Sequence, residues 1–228
     1  PTLLNRQQEL SEITAFATGA DPYMWLVGGA FAGKSALLFE TVAAGVLPDT
    51  VDVVSYFLSR RSSDATADRF LAAVVPQLEV LLDWHHESPS LDRFNKAWQE
   101  ATYRTNRHLL LVIDALDEDL HVPGAPWVTD LLPAVVRSNS HVLVSSRPYP
   151  QIRDRVPSTH PLKTCVQLLI EPFIGAAELA ELAKVEIDHL VTGDDLAVDV
   201  FGLLTAAAGP LSLTDLAALH AYPDAPTA

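Results

Sequence analysis

The sequence predicts an α/β fold of three layers, a parallel five-stranded sheet between helices, and three observations carry that prediction. Short apolar runs alternate with helix-length segments from about residue 6 to residue 172, the pattern of βαβ units. HLLLVID, residues 108–114, is a continuous apolar run of the kind that parallel sheets bury on both faces. The glycine-rich stretch GGAFAGKS, residues 28–35, joins the first strand directly to the helix that follows it.

Taken in order, residues 6–19 place Leu10, Ile13 and Ala17 at helical spacing before a glycine stop, and Asp21 and Pro22 make a turn. YMWLVGG is the first strand, and KSALLFETVAAG is a helix with Gly45 as its C-terminal glycine. VDVVSYFLS is the second strand; helical segments run from about Asp64 to Asp83 and again after Ser90. HLLLVID is the third strand and ends in a cluster of acids. Residues 126–138 predict a further helix, HVLVSSR the fourth strand and CVQLLIEP the fifth. Beyond Pro172 the pattern is helical only, so the boundary is placed there, giving segments 1–172 and 173–228.

Composition narrows the class of protein. With 49% hydrophobic and 19% charged residues, the 228-residue chain belongs with globular proteins. No apolar run approaches the roughly 18–20 residues needed to cross a bilayer, so no membrane partner and a cytoplasmic location are expected. A net charge of −14 argues against direct contact with nucleic acid, which calls for a basic face. Cys165, the single cysteine, rules out an internal disulfide and reads as a small apolar strand residue. Because the chain starts at Pro1 without a methionine, it is expected to be a piece of a longer protein, with further domains outside it.

Gly28, four residues, then Gly33, Lys34 and Ser35 fit the GxxxxGK[ST] pattern between a strand and a helix. Glycines let the backbone curl with its N–H groups inward, and the helix N-terminus adds partial positive charge where phosphates sit. The cradle runs from Gly29 through Ala30, Phe31, Ala32 and Gly33 to Lys34, Ser35 and Ala36. Lys34 is expected to reach the β- and γ-phosphates, and Ser35 to ligate Mg2+. Asp114, directly after the apolar run of the third strand, stands where a magnesium-facing acid belongs.

Asp117 and Glu118 follow in the loop that would face the γ-phosphate, where a carboxylate can orient or deprotonate an attacking water. Glu118 is the first choice for that role; the other reading of 117–119 is a solvated acidic turn. Arg147 closes the fourth strand and is a candidate to sense the γ-phosphate, its alternative being a surface ion pair. Arg60 and Arg61 are either further candidates or solvated loop charges.

GGAFAGKS, LLLVIDALDED and HVLVSSRP together resemble the NACHT-like members of the STAND class of signal-transduction P-loop NTPases of large bacterial proteins. FGLLTAAAGPLSLTDLAALH resembles the start of the winged-helix module that follows such domains, and the resemblance covers roughly residues 3–220. It implies an ASCE-type sheet of order 5-1-4-3-2, with the Arg147 strand between the phosphate-loop strand and the Asp114 strand. It implies ATP and ADP with Mg2+ as ligands. LLNRQQEL would lie along the adenine, making Leu3, Leu4 and Arg6 base contacts, with Asn5 where glycine is usual. A glycine-x-proline signature that many members use to hold ADP has no counterpart after the fourth strand.

The activity implied is that of a regulatory switch in signalling or defence: opening and self-association with ATP, slow hydrolysis to reset. Two other readings share these motifs, an AAA-like mechanical ATPase and a nucleotide-binding scaffold that does not hydrolyse.

Overall fold

Side chains that alternate between the two faces of a sheet, nearly all buried in the central strands, build two cores, one on either side of it. The protein was analysed as a computed structural model, which describes residues 6–60, 65–104, 106–120, 122–172, 184–185, 188–189, 192 and 195–206. Strands β1 (Tyr23–Val27), β2 (Val51–Phe57), β3 (His108–Asp114), β4 (Ser140–Ser146) and β5 (Val166–Leu169) pair in parallel in the order β2-β3-β4-β1-β5. This is the expected order read from its other edge, with β4 between β1 and β3.

Helices α1 (Gln7–Ala17) and α2 (Lys34–Ala43) cover one face, where Ile13, Phe16, Leu37 and Leu38 meet Met24, Leu26, Leu110, Val112 and Leu143. Helices α3 (Ala67–Leu82) and α4 (Leu91–Ala101) cover the other, packing Phe70, Leu78, Phe94 and Trp98 against Tyr23, Trp25, Leu111, Ile113 and Val144. Consecutive residues of one strand thus serve opposite cores, as a period of two requires. Each helix start has a local cause where the sequence supplies one: Thr66 and Ser90 accept the N–H groups of Arg69 and Arg93 as N-caps. Gly45, past the end of α2, takes φ +65 as a C-terminal glycine does.

Two details differ from expectation, residues 126–138 and Cys165. Residues 126–138 form only a short 3-10 turn, Val128–Leu131, because Pro133 forces Leu132 into an extended conformation, ψ 137°. The edge strand β5 is mostly exposed. Cys165 stands half-buried just ahead of β5 rather than within it.

The chain divides into two compact units, Pro1–Pro172 and Phe173–Ala228. In the second, α5 (Asp195–Ala206) matches part of the helical pattern expected beyond Pro172. Leu3, Leu4, Arg61 and the expected winged-helix start beyond 206 lie outside the described residues. Among the described residues, no helix is long and apolar enough to cross a membrane.

Candidate functional site

Register brings the chemistry to one edge of the sheet. Val27 pairs with Ser146, Ile113 with Val144, and Phe57 with Asp114, so the carboxyl ends of β1, β2, β3 and β4 lie together. In open α/β sheets that edge is where ligands bind.

The loop after β1 turns through two left-handed residues, Phe31 at φ +61 and Gly33 at φ +88. The second suits glycine; the first strains a bulky side chain, which stands 91% exposed. Gly33 caps α2, so the helix begins at Lys34 with its free N–H groups facing the loop. Lys34 Nζ donates to the carbonyls of Gly28 at 2.7 Å and Gly29 at 2.9 Å. Burial pushes this ammonium below its usual value, the carboxylates of Asp117 and Asp114 oppose that, and Arg147 adds to it. Lys34 therefore sits in the field of Asp117, Asp114 and Arg147. Ser35, in the first turn of α2, is exposed.

Asp114 is 4% exposed, and Ser145 Oγ donates to its Oδ1. The same hydroxyl accepts the Ala115 N–H at 3.0 Å. Ser145 thus fixes both the carboxylate and the point where the chain leaves β3; Ala115, at φ +54, then starts a short 3-10 turn, Leu116–Glu118. Oxygen donors only, one buried carboxylate and one exposed hydroxyl, fit a hard divalent cation such as Mg2+, which takes few protein ligands and keeps waters. Among the described residues no cluster of three or more His, Cys, Asp or Glu could hold a metal by itself.

The acidic turn is not simply solvated. Asp117 is 6% exposed: its Oδ1 accepts the Arg147 N–H at 3.0 Å and its Oδ2 lies 3.4 Å from Arg147 Nε. Glu118 Oε1 is 3.5 Å from Arg147 Nη2, and its Oε2 accepts the Arg60 N–H at 3.1 Å. Arg60 also donates from Nε to the Glu118 carbonyl (2.9 Å) and from Nη2 to that of Asp117 (3.1 Å). One arginine on each side therefore holds the turn, from the end of β2 and from the end of β4.

Next to it, Asp119 is buried, accepts the Val128 N–H at 2.8 Å and lies 3.9 Å from Arg155 Nη1. Burial raises its pKa to about 6, against the pull of the Val128 N–H and Arg155.

Lys34, Asp114, Asp117, Glu118 and Arg147 thus lie at one edge of the sheet, and Arg60 joins them by holding the turn. Arg6 is buried at the start of α1 with its guanidinium on backbone carbonyls; Leu4 lies outside the described residues. Ser145 was missed, although it stands two residues before Arg147 in HVLVSSR. Only the pairing of β3 with β4 shows that it faces Asp114.

A parallel sheet of this order with a lysine-bearing glycine loop after β1 and a buried acid ending β3 defines a P-loop NTPase, a nucleotide-binding domain. The NACHT domain profile matches residues 22–182, and the chain belongs to the NACHT family. Among solved structures it is similar to the Aeropyrum pernix ORC1 protein in complex with DNA, at 18% identity and a TM-score of 0.51 over 82% of this chain and 50% of that one. It is also similar to the Aeropyrum pernix ORC2 protein in its ADPNP-ADP complexes (19% identity, TM-score 0.48, 75% of this chain, 49% of that). A third is CDC6P from Pyrobaculum aerophilum (16%, 0.48, 75% and 46%). The chain spans about half the length of these proteins. No curated protein matches it significantly.

Proposed function

We propose that this chain is the ATP-binding, slowly hydrolysing switch domain of a larger signalling or defence protein, and that ATP drives its opening and self-association. The observation that carries the reading is the double hold of Asp117 and Glu118 on Arg147, whose side chain is 52% exposed. A γ-phosphate beside the loop offers Arg147 a more highly charged partner, so its arrival competes with the two carboxylates. Lys34 exchanges the carbonyls of Gly28 and Gly29 for phosphate oxygens in the same event. A nucleotide shifts a conformational equilibrium only by its differential affinity for the two states, and these contacts distinguish ATP from ADP.

Ser35 and Asp114 would hold Mg2+, which neutralises phosphate charge when bound. Glu118, released from Arg147, would accept a proton from water as the water oxygen bonds to the γ-phosphorus and the bond to the ADP oxygen breaks. Asp117 keeps the Arg147 backbone N–H and holds the end of β4 in place.

Single-turnover hydrolysis and sedimentation of wild type and Glu118→Gln test this. The variant is expected to bind ATP, to hydrolyse it at least a hundredfold more slowly, by order of magnitude for a lost catalytic base, and to remain self-associated longer. Equal rates would remove Glu118 from the mechanism. Fast turnover without nucleotide-dependent association would favour a mechanical ATPase, and ATP binding without turnover in the wild type a scaffold.

A further inference from the structure

Arg6 carries a buried charge whose hydrogen bonds run to two distant parts of the chain. The residue is 9% exposed. Its Nη1 donates to Glu9 Oε1 at 2.5 Å, so the charge is paired within α1. Its Nη2 donates to the Ala32 carbonyl at 2.9 Å and to the Glu171 carbonyl at 2.6 Å. One acceptor lies inside the phosphate loop. The other lies just past β5, one residue before Pro172, where the first unit ends.

A trans peptide is planar, with its C=O and N–H pointing in opposite directions. Turning the Ala32 carbonyl toward Arg6 therefore points the N–H of Gly33 the other way, at the start of α2. The opposite end of the loop is fastened to the same place. A Cβ on Gly28 would collide with the Ile170 carbonyl, and the Ile170 N–H donates to Val27 O at 2.7 Å. Both ends of the loop are thus tied to residues 170–171, Gly28 by close contact and Ala32 through the guanidinium.

We infer that Arg6 is a positioning residue of the phosphate loop: it aims the Gly33 N–H toward the bound phosphates and couples the loop to the exit of β5, and its guanidinium does not read the base. The inference rests on the nucleotide-binding reading above. Acting through the backbone, Arg6 affects the phosphates alone. Glu9 offsets its charge, so its contribution is orientation and not a long-range field.

The test compares wild type, Arg6→Gln and Arg6→Lys in the full chain, with ATP and with inorganic tripolyphosphate, which has no base, as ligands. Arg6→Gln is expected to weaken both by the same factor, about tenfold or more as for hydrogen bonds to a charged group. It should also speed hydrogen exchange at the Gly33 and Ile170 amides in the nucleotide-bound protein. Lysine, a point charge without the planar fork, should recover only part of the affinity. If Arg6→Gln fails to fold, Arg6→Lys carries the same comparison with smaller factors. A loss confined to ATP would assign Arg6 to the base and overturn the inference. Unchanged affinities in a wild type that binds ATP would overturn it while leaving the nucleotide site standing; a wild type that binds neither ligand would overturn both.

Discussion

Ser145 shows how a site depends on groups that carry no charge. Its hydroxyl donates to Asp114 and accepts from the Ala115 N–H, so Ser145→Ala frees the carboxylate to rotate and removes the partner of a part-buried N–H. The expected result is a loss of about 1–3 kcal/mol in chemical denaturation and a raised Mg2+ requirement for hydrolysis, read by titrating the metal. Asp119 gives a pH signature. Its folded-state pKa is raised from 3.8 to about 6, first by burial, so the folded protein holds the extra proton between those values. The stabilisation this provides is complete below about 4 and is lost as pH rises through about 6. Asp119→Asn should flatten that part of the melting-temperature profile; an unchanged slope would show that Asp119 titrates normally. The charged candidates were legible in the sequence because strand ends and acid clusters mark themselves. Ser145 and the hold of Arg60 on the acidic turn were not, since each depends on a neighbouring strand.

Among the elements, α3 does more than fill the core. β2 is an edge strand, and Gln77 on α3 covers part of its open side: Oε1 accepts the Ser55 N–H and Nε2 donates to the Ser55 carbonyl, both at 2.9 Å. The amide imitates one residue of a further strand at an edge that would otherwise be open to pairing. Gln77→Ala leaves both groups without that partner and should cost about 1–3 kcal/mol, measured by denaturant unfolding, with a raised tendency to aggregate. The strands were legible because continuous apolar runs bounded by turn residues have few other uses. Residues 126–138 were not, since their apolar spacing suggests a helix while Pro133 excludes one, and a local steric rule outweighed periodicity.

For the molecule as a whole, nucleotide binding and stability are linked, because a ligand that binds only the folded chain stabilises it. At one hundred times its dissociation constant, ATP should add about 2.7 kcal/mol, a rise of about 5–10 °C in melting temperature for a chain of this size. Lys34→Ala should remove that rise at the same ATP concentration; a full shift in the variant would disprove the placement of the phosphate site. Composition, strand and helix periodicity and the spacing of Gly28, Gly33, Lys34 and Ser35 were sufficient for the fold class and the phosphate loop, because those signals are local and set by backbone geometry. The family resemblance of the motifs added the order of the strands, but that Arg147 meets Asp117 and Glu118, that Ser145 meets Asp114, and that Arg6 reaches both Ala32 and Glu171 depends on contacts between residues far apart in the chain. Such contacts leave no spacing in the sequence to be read and exist only once the sheet has closed in its register.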